Sequence, residues 1–278
     1  MTETAFSGAS AGLPTRPAPA RFRRPGNGMS LLYLGAAAFF VYSLHGSEIS
    51  VESLVNGLPN MARLIGEMFP PSIARLQSVG SAMLQTFQMA FAGTVIGVLL
   101  SVPLAICAAR SLSPHPVLYH ISRALIALFR TVPDLVWALF FVVTVGLGPF
   151  AGMLTLVVDA IGFCGRFFAE AMEETDKGPQ EALTALGARR SGVVFSAVLP
   201  AAMPSMINSS LFTLEKATRA SVVLGLVGAG GIGIELKVAM DLFQYDQAAT
   251  IILGVFLLVL VVERLSSMLR QRILRQSV

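Results

Sequence analysis

Long uncharged stretches recur along the chain, and their lengths predict helices that cross a membrane. Each helical residue rises about 1.5 Å, so a span needs about 20 apolar residues. Charge-free runs lie at 29–44, 83–109, 135–158 and 248–262, and mostly apolar segments near 151–172 and 200–222. The turn Gly146–Phe150 divides the third run. We therefore predict an all-α membrane protein with six helices, at about 29–46, 81–109, 121–146, 150–172, 200–225 and 245–264.

The composition favours the same class. Charged residues make up 13% of the chain, against roughly 25% in soluble domains, and 54% of the residues are hydrophobic. Few soluble folds have so little polar surface with which to cover themselves. The membrane class is therefore preferred to a soluble one.

Lysines and arginines near the helix ends predict the orientation. With six spans, 13 of these residues fall on one side of the membrane and 3 on the other. Because basic residues are enriched on the cytoplasmic side, both termini are expected in the cytoplasm. The net charge of +4 then reflects membrane topology, and nucleic-acid binding is not expected.

The remaining segments flank or connect the spans of a membrane domain at 29–266. Residues 1–28, rich in Pro, Gly, Ser and Ala, predict a disordered cytoplasmic tail, and a signal peptide is disfavoured because no small-x-small cleavage site follows. Residues 47–80 are expected as a periplasmic connector, 173–199 as a cytoplasmic loop and 267–278 as a cytoplasmic tail. Apolar spacing from Ser53 to Pro71 predicts an amphipathic helix, which lies along the membrane interface or packs as a connector.

The residues that bind metals and nucleotides are not arranged to do so. Two cysteines, Cys107 and Cys164, fall in predicted spans and are expected to pack as apolar side chains. The histidines, at predicted membrane edges, are His45, His115 and His120. No G-x-x-x-x-G-K-[ST] phosphate loop occurs. We expect no metal and no cofactor on this chain, which is not an enzyme by itself.

A glycine-rich stretch, VVLGLVGAGGIGIEL at 222–236, contains G-x-G-x-x-G. A dinucleotide site would need a strand before it and a βαβ unit around it, whereas predicted membrane helices flank it. Glycine also permits a helix to unwind at membrane depth or to approach another helix closely. We expect unwinding near the outer surface, as a gate, with small-residue packing as the alternative. The glycines concerned are Gly225, Gly228, Gly230, Gly231 and Gly233.

The cytoplasmic loop carries a short helix signal in EALTALGARRSGVVFSAVLP, residues 181–200. Pro179 suits a first helical position, Glu181 faces the positive end of the helix, and Gly187 ends it. The turn between them is apolar. This helix either docks a soluble partner or packs on the inner face of its own protein.

The same segment resembles the EAA loop of ABC-importer permeases, E-A-A-x3-G-x9-I-x-L-P. Leu183 and Ala197 depart from the pattern without changing its apolar character. The matching positions are Glu181, Ala182, Gly187, Leu199 and Pro200. Nearly the whole chain resembles the permease subunit of phosphonate importers. The stretches that carry this likeness are 68–71, 145–153, 192–207 and 217–233.

The resemblance implies a type I ABC-importer permease fold in a bacterial inner membrane. A homodimer would pair with a cytoplasmic ATPase dimer, which holds the ATP and Mg, and a periplasmic or lipid-anchored binding protein would deliver phosphonate, phosphite or hypophosphite. A methionine permease of the same superfamily is the alternative, and an ion-coupled transporter is disfavoured by the EAA loop. The implied ATPase-coupling residues are Glu181, Ala182, Leu183, Leu186, Gly187, Ala188 and Arg189.

Charges inside predicted spans are costly and need a reason. Glu215 and Arg219 are four apart and share a face with Phe212, and Arg130 and Asp134 flank Pro133, where a kink is predicted. Asp159 and Arg166 share a face of the fourth helix. These charges line a path for the anion or form structural ion pairs. The expected pathway residues are Asn208, Glu215, Arg219, Arg130 and Asp134.

Overall fold

The computed structural model describes residues 27–47 and 50–276, with side chains to residue 273, and all regular structure in this part of the chain is helical. The helices are α1 (Asn27–Gly46), α2 (Val51–Glu67), α3 (Leu76–Ala108), α4 (Pro116–Thr131), α5 (Asp134–Val145), α6 (Pro149–Glu173), α7 (Lys177–Ala185), α8 (Arg190–Val193), α9 (Leu199–Leu226), α10 (Ile232–Asp241) and α11 (Tyr245–Gln276). A π-turn at Val194–Val198 joins α8 to α9. The all-α fold class is confirmed.

The chain divides into two compact units at Asn60–Met61. The first unit contains α1, a 20-residue apolar helix, and the beginning of α2. The second unit contains the helical bundle. Most of the predicted tail at 1–28 falls outside the described residues.

Helix α6 is the central element of the bundle, with α3, α4, α5 and α9 packed around it. Its contact with α3 depends on small residues. A methyl group added at Gly93 would lie 2.8 Å from Leu156 Cβ, and one added at Gly97 would lie 2.4 Å from Ala160 Cβ. Glycine allows helix backbones to approach closely, which replaces the hydrophobic driving force that is missing in lipid.

The helix predicted at 121–146 is wrong as a single element. The structure has two helices, α4 and α5, which meet at 92°. Pro133 has no N–H group and disfavours the helical conformation at Val132, whose ψ is 125°. The predicted kink is therefore a complete break. Among the described residues, five helices are long and apolar enough to span a membrane, or six if α4 and α5 form one bent span.

Two other boundaries differ from the predicted ones. Helix α11 continues to Gln276, through most of the segment expected as a tail from 267. The amphipathic helix expected between Ser53 and Pro71 runs from Val51 to Glu67, so it ends before the two prolines.

Candidate functional site

The predicted cytoplasmic loop forms a short capped helix, α7. The Asp176 carboxylate accepts a hydrogen bond from Gly178 N at 3.1 Å, which satisfies one of the free N–H groups at the start of the helix. The turn at the other end is closed by Gly187, whose φ of +84° suits glycine and whose N–H donates to Thr184 O at 3.0 Å. The helix thus ends where the sequence predicts.

The surface of α7 carries unpartnered apolar area. Leu186 is 84% exposed, and Ala182 beside it is also exposed. Leu183 is half-buried, Ala188 is half-buried, and Glu181 and Arg189 are exposed. The predicted coupling residues therefore occupy one short, accessible segment.

A groove of about 720 Å³ lies beside α7. Its walls come from α7, α8, the end of α6 and the loop after α3. Glu173, at the end of α6, accepts a hydrogen bond from Arg110 N at 2.6 Å and pairs with Arg123 Nη2 at 3.0 Å. These bonds join α4, α6 and the loop after α3 at one end of the bundle. The groove lining consists of Arg110, Ser111, Leu112, Glu173, Lys177, Gln180, Glu181, Thr184, Ala188, Arg190, Val193 and Val194.

The glycine-rich stretch is a tight turn between α9 and α10. Helix α9 ends at Leu226, and the backbone at Gly228, Gly230 and Gly231 has positive φ. This turn packs on the Gly146–Phe150 turn, where Gly148 N donates to Gly228 O at 3.0 Å. It also packs on α3, where Ile232 N donates to the buried Thr86 Oγ1 at 2.7 Å. The helix unwinds where the sequence predicts, and the gate role stays a prediction.

Gly233→Ala is expected to destabilise the bundle. Its added methyl group would lie 2.0 Å from Val222 O and 2.7 Å from Gly225 Cα, both backbone atoms that cannot rotate away. Overpacking of this kind costs about 1–3 kcal/mol. Thermal unfolding of the purified protein in detergent should show a lower midpoint. Gly80→Ala is the control, since nothing lies within 4 Å of its new methyl group. Equal midpoints for the two variants would contradict this packing.

The charges within the spans pair across helices. Lys216 Nζ of α9 lies 2.5 Å from Asp159 Oδ1 of α6, and the Asp159 side chain is 9% exposed. Asp134, the first residue of α5, has Asp159 and Lys216 as its charged neighbours. Two carboxylates and one ammonium thus meet where α5, α6 and α9 converge. The sequence indicates each charge, but it does not indicate this combination.

The expected pairing of Glu215 with Arg219 is replaced by another. Glu215 Oε1 lies 3.0 Å from Arg270 Nη2 of α11, which the sequence had placed in the cytoplasmic tail. Arg219 and Asn208 lie exposed on α9, and Arg219 has no ion pair within 27–47 and 50–273.

Arg130 and Arg166 also depart from the expected arrangement. Arg130 and Asp134 are separated by the break at Pro133, so they do not share a helical face. Arg166 pairs within α6 with Glu170 at 2.7 Å, so it does not join Asp159.

Comparison with known proteins identifies the class. Residues 97–275 match the family described as binding-protein-dependent transport system inner membrane component. A phosphite transport system permease protein of Stutzerimonas stutzeri, PtxC, is 39% identical over 80% of this chain and 81% of its own length. A phosphate-import permease protein of Mycolicibacterium smegmatis, PhnE, is 37% identical over 94% of this chain, which spans only 48% of that relative.

A solved structure shares the fold. One chain of an inward-facing methionine ABC transporter, MetNI, superposes with a TM-score of 0.62 at 24% identity, covering 73% of this chain and 99% of that one. This chain therefore belongs to the binding-protein-dependent transport inner membrane component family. It is a multi-pass permease component of the bacterial inner membrane with the type I ABC-importer permease fold.

Proposed function

We propose that this chain is the transmembrane subunit of an ATP-driven importer that moves phosphite, hypophosphite or phosphonate into the cytoplasm by alternating access. The observation that carries the substrate class is the 39% identity to a phosphite permease over 81% of that protein. A methionine import permease of Bacillus subtilis is more distant, at 30% identity over 50% of this chain. Methionine transport is therefore the second candidate.

The proposed partners follow from the chain's own surfaces. Because the chain has no phosphate loop, ATP and Mg would be bound by a separate cytoplasmic ATPase dimer. The exposed segment from Glu181 to Arg189 is the surface on which that ATPase would dock. A second copy of the chain would complete the pathway, and a periplasmic or lipid-anchored binding protein would deliver the substrate. The Mycolicibacterium relative is long enough to hold two such units.

A continuous helical path connects the docking surface to the far end of the bundle. Helix α7 leads through α8 and the π-turn into α9, whose 28 residues extend about 42 Å. At its far end, α9 enters the glycine turn that packs on α3 and on Gly146–Phe150. Movement of α7 on closure of the ATPase would thus reach the proposed gate through a rigid element. ATP and the loaded binding protein would bias the inward-open and outward-open states.

The test is ATP hydrolysis by the complex reconstituted with its binding protein. Phosphite, hypophosphite, methylphosphonate, aminoethylphosphonate, phosphate and methionine are added separately. We expect a phosphorus oxyanion to stimulate hydrolysis and to accumulate inside vesicles. Stimulation by methionine alone would favour the second candidate. Absence of any co-purifying ATPase would contradict the proposal as a whole.

A further inference from the structure

A second cavity, of about 430 Å³, lies between α4 and α6. Three arginines line it, together with a single acidic residue. The lining residues are Arg123, Ile126, Ala127, Arg130, Thr131, Arg166 and Glu170. Such a concentration of guanidinium groups in helices of a membrane bundle is costly unless anions or water neutralise it.

Two of these arginines are held by fixed partners. Arg166 Nε donates to Glu170 Oε1 at 2.7 Å. Arg123 donates to Ala108 O at 2.8 Å and to Glu173 Oε1 at 3.0 Å. Three guanidinium groups against two carboxylates leave one net positive charge around the cavity.

Arg130 carries the charge that remains. Within the described part of the chain, no carboxylate pairs with it and its side chain is exposed. Its backbone position is nevertheless constrained, since a methyl group added at Gly162 of α6 would lie 3.1 Å from Arg130 N. The cavity thus combines one unpaired guanidinium group with two that are already held in place.

The cavity lies at the end of the bundle that carries the docking surface. Arg123 binds Glu173, and Glu173 also lines the groove beside α7. Arg166 is seven residues from Glu173 on α6, about 10 Å along the helix axis. A ligand in this cavity would therefore occupy the inner half of the bundle, next to the segment that contacts the ATPase.

We propose that Arg123, Arg130 and Arg166 form a binding station for a small phosphorus oxyanion, which holds the substrate on the inner side before release. Guanidinium groups present paired N–H donors that match the oxygens of phosphorus oxyanions. Arg130 provides the free donors, while Arg123 and Arg166 contribute positive potential. The inference rests on the proposed function for the identity of the ligand.

Binding to the whole complex without its binding protein tests the station. Isothermal titration with phosphite and with methylphosphonate is carried out at constant ionic strength, because salt screens charge interactions. We expect saturable binding to the wild-type complex and a loss of at least about tenfold in affinity for Arg130→Gln, since charge-assisted hydrogen bonds are the strong ones. Arg130→Lys, which keeps the charge but loses the planar fork, should fall between the two.

The matched control is Arg63→Gln, which removes the same charge from an exposed position of α2. It should bind like the wild type. Wild-type affinity in Arg130→Gln, or no saturable binding to the wild-type complex, would overturn the station. The proposed function would survive either result if phosphite still stimulated ATP hydrolysis through the binding protein, so the two failures are distinguishable.

A phosphate group of an anionic lipid offers the same chemistry. The titration is therefore repeated in nanodiscs of neutral lipid and in nanodiscs that contain phosphatidylglycerol. Equal phosphite affinity in both supports a station for the free oxyanion. Displacement of phosphite by phosphatidylglycerol in the wild type but not in Arg130→Gln would assign the cavity to lipid and overturn the proposal.

Discussion

Replacement of Leu186 by Asp should release the ATPase from the purified complex. Leu186 is 84% exposed at the end of α7, so in the isolated chain the substitution disturbs no packing. In the assembled complex the same side chain would be buried against the ATPase, where an unpaired carboxylate is costly. Apolar anchors at the centre of an interface are each worth about 2 kcal/mol or more, which is roughly a thirtyfold loss in affinity.

Affinity purification through a tag on this chain, followed by quantification of the co-eluting ATPase, measures the effect. The control is Leu242→Asp, an exposed leucine between α10 and α11, outside the docking segment. It should retain the ATPase in full. Retention of the ATPase at wild-type stoichiometry by Leu186→Asp would show that this face of α7 is not the docking surface.

The spans could be predicted from sequence because the bilayer restricts the choice of structure. A segment that crosses lipid must satisfy its own backbone hydrogen bonds, and an apolar stretch of sufficient length then forms a helix. The break at Pro133 was foreseeable only as a kink. Its angle of 92° depends on where α4 and α5 pack against α6, including the close contact of Arg130 with Gly162. Contacts of this kind join distant residues and leave no local signal.

The same limit applies to the charges. Spacing along one helix indicates the candidates four residues apart, such as Glu215 and Arg219. Glu215 instead contacts Arg270, 55 residues away, and Lys216 contacts Asp159, 57 residues away. Helix packing decides these partners. The Glu215–Arg270 pair also explains why α11 extends so far, since it ties the helix to α9 beyond the expected end of the span.

The glycine stretch shows the other side of this limit. Its composition indicates that α9 must unwind, because three positions adopt positive φ that other residues rarely tolerate. Its contact with the Gly146–Phe150 turn is a tertiary fact. Two stretches that separately support the family resemblance, 145–153 and 217–233, therefore meet at one end of the bundle.

Loss of Lys216 should be the most damaging change to the stability of the bundle. Lys216→Met would leave Asp159, 9% exposed, without its ammonium partner and with Asp134 as a second acidic neighbour. Breaking a buried ion pair by removing one partner costs about 3–5 kcal/mol. Because 35% of the Lys216 side chain is exposed, the lower end of that range applies.

Thermal unfolding of the purified protein in detergent measures this cost, and the double variant Asp159→Leu with Lys216→Met separates its causes. A buried pair that is replaced as a whole by apolar side chains is often neutral in stability, so the double variant should recover at least half of the loss. Arg75→Met is the comparison, since its pair with Glu235 is largely exposed and such pairs are worth about 0–1 kcal/mol. If the double variant were as unstable as Lys216→Met, the unpaired Asp159 carboxylate would not be the cause, and the packing of the Lys216 side chain between α6 and α9 would be responsible instead.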